Sequence, residues 1–149
     1  MSDPITVRPI EILLVEDNPG DVRLTLEALK EGKLANHVTV AADGEEALAR
    51  LRRDVPHREA VPPDLVLLDL NLPKLSGREV LETVRADPLM TDLPIVLLTM
   101  SREESNALEA IHLGATAYLT KPLGASDLIG LTAEIEVFHL TVVVAGISP

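Results

Sequence analysis

Five residues carry groups that could act together on one small anionic group: Glu16, Asp17, Asp69, Thr99 and Lys121. Each stands at or just past the end of a largely apolar run. Glu16-Asp17 close Ile10-Glu11-Ile12-Leu13-Leu14-Val15, Asp69 ends Leu65-Val66-Leu67-Leu68, and Thr99 ends Pro94-Ile95-Val96-Leu97-Leu98. Lys121 follows residues 115–120. Runs that are apolar at nearly every position fit strands of a parallel sheet covered on both faces. Their first polar residues then emerge on one carboxyl edge, where open α/β sheets bind ligands. Three carboxylates gathered there repel one another unless a cation sits between them. Hard oxygen ligands without His or Cys select Mg²⁺ or Mn²⁺. The Thr99 hydroxyl and Lys121 ammonium would stabilise charge on a transferring phosphoryl group. Asp69 is the candidate nucleophile, because a carboxylate can accept a phosphoryl group as an acyl phosphate.

The elements that must position these groups alternate regularly. After the first strand, Asn18-Pro19-Gly20-Asp21 carries an N-cap, a first-turn proline and a first-turn acid, so a helix runs to about Gly32 with Val22, Leu26 and Leu29 on one face. Residues 38–42 read as a second strand, and Asp43-Gly44-Glu45-Glu46 opens a second helix. Residues 54–63 hold three prolines and form a loop. Ser76-Gly77-Arg78-Glu79 has capping-box spacing before a third helix that Pro88 ends. Ser101-Arg102-Glu103-Glu104 opens a fourth helix up to Gly114, and a fifth spans about residues 126–138. Five strand–helix units with short connections predict a parallel sheet with helices on both faces.

Composition narrows the partners. The chain is 46% hydrophobic and 25% charged, enough for a sizeable core in one domain of 149 residues. A net charge of −11 disfavours nucleic-acid binding and suits a cation or a partner with a basic face. The absence of cysteine excludes disulfides and thiolate metal sites. No apolar run approaches the roughly 20 residues that span a bilayer, and residues 1–9 do not read as a signal peptide, so a cytoplasmic location is expected.

The ordered set Leu14-Val15-Glu16-Asp17-Asn18, Leu67-Leu68-Asp69-Leu70-Asn71-Leu72-Pro73, Gly77, Leu98-Thr99, Gly114-Ala115 and Tyr118-Leu119-Thr120-Lys121-Pro122 resembles the receiver domain of two-component response regulators. The resemblance covers roughly residues 10–138, after a tail of residues 1–9. It implies a flavodoxin-like three-layer sandwich with five parallel strands in the order 2-1-3-4-5 and five helices. It implies that Asp69 takes a phosphoryl group from a sensor histidine kinase. Glu16, Asp17, Asp69 and the Asn71 carbonyl would hold Mg²⁺, while Lys121 and Thr99 contact the phosphoryl group. Tyr118, which could instead be core filling with a wet hydroxyl, becomes the switch aromatic. Asn71 and Ser101 become tuning positions for dephosphorylation, and the Lys121–Pro122 bond is expected to be cis.

Three features depart from the family pattern. Met100 stands where a small residue is usual and either narrows access to the site or covers it flexibly. The loop at 54–63 is long. Residues 139–149 form an apolar extension where an output domain would start, read here as a homodimerisation segment. The loop and extension resemble stand-alone receivers partnered with bacterial phytochromes.

The expectation is therefore a phosphoaccepting signalling protein with at most slow self-dephosphorylation, not an enzyme. Two alternatives stand beside it. An aspartate-nucleophile phosphatase of the haloacid dehalogenase type would need an acid two residues after the nucleophile, where Asn71 stands. A receiver-shaped scaffold that is never phosphorylated would be expected to lose a site residue, and has Met100 alone in its favour.

Overall fold

The computed structural model describes residues 10–31, 36–55, 57–100, 109, 112–121 and 123–124. Strands β1 (Ile10–Val15), β2 (Asn36–Ala41), β3 (Leu65–Asp69), β4 (Ile95–Thr99) and β5 (Ala117–Thr120) form one sheet. Its order is β2-β1-β3-β4-β5, and every pairing is parallel. This is the expected flavodoxin-like arrangement, with β3 and its terminal aspartate at the centre.

Helices α1 (Pro19–Glu31), α2 (Gly44–Arg52) and α3 (Gly77–Ala86) complete the layers among the described residues. Side chains alternate along each strand, so the sheet builds a core on each face. Ile10, Ile12, Leu14, Leu65, Leu67, Val96 and Leu98 pack towards Ala28 and Leu29 of α1. Leu13, Val15, Val66, Leu68, Ile95 and Leu97 pack with Ala47 and Leu48 of α2 and Val80, Leu81 and Val84 of α3. Burial on both faces explains why β3 and β4 are apolar throughout.

Capping contacts form at Asn18, Asp43 and Ser76, with only the Asp43 half of the expected box at Asp43. Asp43 accepts from Glu46 N–H at 2.8 Å, and this bond lowers its pKa. At Ser76 both halves of the capping box are present. Asn18 Oδ1 accepts from Asp21 N–H at 3.0 Å at the start of α1.

Some expectations shift. Leu26 does not join the core and is 38% exposed, because the buried stripe of α1 runs through Thr25, Ala28 and Leu29. Strand β2 spans Asn36–Ala41, since Asn36 and His37 pair with Ile10 and Glu11 of β1. Strand β5 begins at Ala117, after Thr116 Oγ1 has accepted from Ile95 N–H at 3.0 Å. The fourth and fifth expected helices fall largely outside the described residues, as do the N-terminal tail, Ser101, Pro122 with its expected cis bond, and the dimerisation segment. Among the described residues, no helix is long and apolar enough to cross a membrane.

Candidate functional site

Strand ends and helix starts converge on the carboxyl edge of the sheet. Main-chain bonds fix the geometry first. Glu16 N–H donates to Ala41 O at 3.0 Å, Leu70 N–H to Leu98 O at 3.0 Å, and Lys121 N–H to Thr99 O at 2.7 Å. These bonds lock the residues just beyond β1, β3 and β5 against their neighbouring strands. Gly77 seals the loop after β3. A Cβ on it would lie 2.3 Å from the Asp69 carbonyl oxygen, so only glycine lets α3 begin this close to the strand end.

Five polar or charged side chains are buried among the described residues, and four of them belong to this edge: Glu16, Asp69, Thr99 and Lys121. Thr25 on α1 is the fifth. Buried charges are expected only when paired or when they hold metals. Lys121 supplies the pairing. Its ammonium contacts Glu16 Oε1, lies 3.0 Å from Asp21 Oδ2 and 3.2 Å from Asp69 Oδ2. Asp69 Oδ1 accepts from Asn71 N–H at 3.0 Å, and Glu16 Oε2 accepts from Asn18 N–H at 3.3 Å. Both carboxylates are therefore held in orientation by backbone amides.

The electrostatics follow from this crowding. Burial pushes the Glu16 carboxyl up to about 7; the adjacent Asp69 adds to the rise, while Lys121 and the Asn18 amide oppose it. Burial alone would lower the Lys121 pKa. Its hydrogen bonds to Glu16 and Asp21 and the charges of Asp69 and Glu16 outweigh that effect and hold it above the ordinary lysine value. The lysine is thus a permanent cation among carboxylates.

Glu16, Asp17 and Asp69 each bring a carboxylate oxygen within 4.8 Å of the others. Asp17 is exposed while the other two are buried, so the set opens to solvent on one side. Three hard anionic donors with an open side suit a Mg²⁺-type ion, which keeps part of its water shell. An amide-held carboxylate, a buried ammonium and a cation-sized acidic cluster together can accept and stabilise a phosphoryl group.

The remaining expected residues sit nearby. Thr99 is buried at the end of β4, in register with Thr120. Tyr118 on β5 is half-buried beside Leu97 and lines a hollow of about 300 Å³ with Leu70, Ser76, Arg78, Glu109 and Leu113. Arg78 and Glu109 form an ion pair across this hollow. Asn71 and Met100 are exposed, Met100 at 67%. Asp21 is a residue the sequence suggests only as a first-turn acid of α1. Its contact joins groups 100 positions apart.

Comparison with known proteins agrees with this geometry. Residues 12–133 match the family described as the response regulator receiver domain. Response regulator Rcp1 of Synechocystis sp. is 38% identical over 135 residues, covering 91% of this chain and 92% of its own. A structure of the Mn²⁺-bound form of Rcp1 superimposes with TM-score 0.71 and 39% identity, over 89% of this chain and 95% of that one. The bacteriophytochrome response regulator AtBRR gives TM-score 0.79 and 42% identity, over 88% and 95%. The phosphorylated cyanobacterial phytochrome response regulator RcpA gives 0.72 and 40%, over 88% and 94%. With nearly the whole chain matched and the acidic cluster, hydroxyl and lysine gathered on one sheet edge, the chain belongs to the response regulator receiver family, the phosphoacceptor module of two-component signalling.

Proposed function

We propose that Asp69 is the residue phosphorylated and that its donor is the phosphohistidine of a sensor histidine kinase. The observation that carries this reading is Asp69 itself, buried at the end of the central strand with one oxygen held by the Asn71 amide and the other facing Lys121. In the transfer, a carboxylate oxygen of Asp69 forms a bond to phosphorus. The P–N bond of the phosphohistidine breaks, and its electron pair returns to the imidazole. Lys121 pairs with the phosphoryl group, and the Thr99 hydroxyl donates to one of its oxygens.

Glu16, Asp17 and Asp69, joined by the Asn71 carbonyl, would hold Mg²⁺ or Mn²⁺. When bound, the cation neutralises charge on the phosphoryl oxygens. The donor set supports this fit, since its ligands are hard carboxylate oxygens close together, and Rcp1 has been seen with Mn²⁺. Tyr118 acts as the switch aromatic beside its hollow. Asn71, Met100 and Ser101 tune access of water, leaving self-dephosphorylation slow. The kinase is a bacteriophytochrome in the cytoplasm, a reading supported by the phytochrome regulators among the similar structures.

Incubation with Mg²⁺ and acetyl phosphate, followed by intact-mass measurement, tests the central claim. The wild type should gain one phosphoryl group, and Asp69→Asn should gain none. A gain that persists in Asp69→Asn, or no gain in the wild type, overturns the assignment. A phosphorylated phytochrome kinase should then replace acetyl phosphate as donor. A chain that takes phosphoryl from the small molecule and refuses the kinase keeps Asp69 as acceptor and loses the phytochrome.

A further inference from the structure

The Lys121 ammonium has three N–H donors and three carboxylate neighbours, Glu16, Asp21 and Asp69. Glu16 and Asp69 belong to the cluster able to hold a cation, whereas Asp21 does not. A divalent ion at that cluster competes with the lysine for Glu16 and Asp69, and an incoming phosphoryl group changes the charge on Asp69. Asp21 is the partner left unchanged by either event. Its position is fixed independently, since Asn18 Oδ1 accepts from its N–H at 3.0 Å in the first turn of α1. Its carboxylate also lies at the solvent border, with a side chain 34% exposed against 8% for Lys121. A water-facing carboxylate can hold an ammonium without adding another buried charge to the cluster.

We propose that Asp21 is a positioning residue for Lys121, anchoring the ammonium above Asp69 so that it meets the phosphoryl group as it arrives. The contact joins the first turn of α1 to the residue after β5, so it spans the site from outside the metal cluster. This inference rests on Asp69 being the phosphoryl acceptor and concerns how its counter-charge is held. Asp21 touches neither the acceptor oxygen nor the cation; it acts through the lysine.

The test compares the full-length wild type, Asp21→Asn and Asp21→Glu in three measurements. With saturating Mg²⁺ and acetyl phosphate, the rate of mass gain should fall about tenfold in Asp21→Asn, the scale expected when a charged group is loosened from a preorganised site. Asp21→Glu should recover most of that rate. Mn²⁺ affinity, followed by the paramagnetic resonance of the free ion, should stay within about threefold, because Asp21 lies outside the cluster and acts on the ion only at a distance. In metal-free protein the ¹⁵N-detected resonance of the Lys121 ammonium should be sharp in the wild type and broadened by solvent exchange in Asp21→Asn.

Transfer at the wild-type rate in Asp21→Asn overturns the proposal, and so does an unchanged ammonium signal. A loss of transfer matched by an equal loss of Mn²⁺ affinity also overturns it, by moving Asp21 into the metal cage. A wild type that takes no phosphoryl group removes the acceptor reading itself, an outcome separate from any difference between the variants.

Discussion

The two edges of the sheet are built on opposite principles. The carboxyl edge buries Glu16, Asp69, Thr99 and Lys121 in a filled cluster. The amino edge has no charged residue among the buried ones described and leaves hollows between its loops. The larger hollow measures about 540 Å³ and is lined by Arg52, Arg53, Pro62, Asp87, Leu89 and Asp92. Leu51, Met90 and Leu93 of its lining pack partly against the core, whereas Leu89 stands at 93% exposure. A site that accepts one phosphoryl group needs a held carboxylate and compensating charge, and those groups occupy their own volume. A pocket that encloses most of a ligand belongs to proteins that bind a whole molecule. The difference between the edges is therefore one of buried charge, and charge is the place to break it.

The largest expected effect is on Lys121. Removing one partner from a buried ion cluster leaves uncompensated charge, at a loss of roughly 3 kcal/mol. Lys121→Ala should fold but lose about that much stability in urea titrations without divalent ions at pH 8. Mg²⁺ should restore a large part of the loss by taking over the counter-charge. A loss under about 1 kcal/mol would mean that the carboxyl edge is as solvated as the amino edge.

This contrast was only partly legible in the sequence. Asp69 could be read because a strand buried on both faces is apolar at every position, so its first charge stands out. Asp43 and Ser76 could be read because caps are local, with donor and acceptor three residues apart. Thr99 and Lys121 followed from the same strand-end rule. Asp21 could not be read in full, because its partner lies on another element and a first-turn acid already has a local explanation in the helix dipole. Leu26 misled because hydropathy marks leucine and overlooks Thr25 and Ala28, whose small side chains let α1 approach the sheet. The crossing of Lys121 to three carboxylates likewise needs the strand order in three dimensions.

A smaller effect concerns pH. Glu16 carries a folded-state pKa of about 7 against an ordinary 4.5. Between these values the native state binds more protons than the unfolded chain, so this group makes metal-free stability fall as pH rises through that window. A cation must displace the Glu16 proton, so Mg²⁺ affinity should rise about tenfold, or 1.4 kcal/mol, from pH 6 to pH 8. Calorimetry in two buffers of different ionisation enthalpy should detect about one proton released per ion at pH 6. A pH-independent affinity would mean that Glu16 is already ionised and that Lys121 holds the cluster more strongly than burial opposes it.

The smallest effect belongs to the opposite edge. Leu89 is 93% exposed, and the turn that carries it is organised by its neighbour: Leu89 N–H donates to Asp87 Oδ1 at 2.9 Å and Met90 N–H to Asp87 O at 3.0 Å. The Leu89 side chain therefore contributes neither core packing nor turn geometry. Leu89→Ser should change stability by less than about 0.5 kcal/mol, the range of surface substitutions away from special features. The acetyl phosphate reaction at Asp69 should keep its wild-type rate. The comparison with a core leucine sharpens the point, because Leu67→Ala on β3, fully buried, should lose about 2–5 kcal/mol. If Leu89→Ser instead lost more than about 1 kcal/mol, that face would be covered in solution, and the amino edge would have a core of its own.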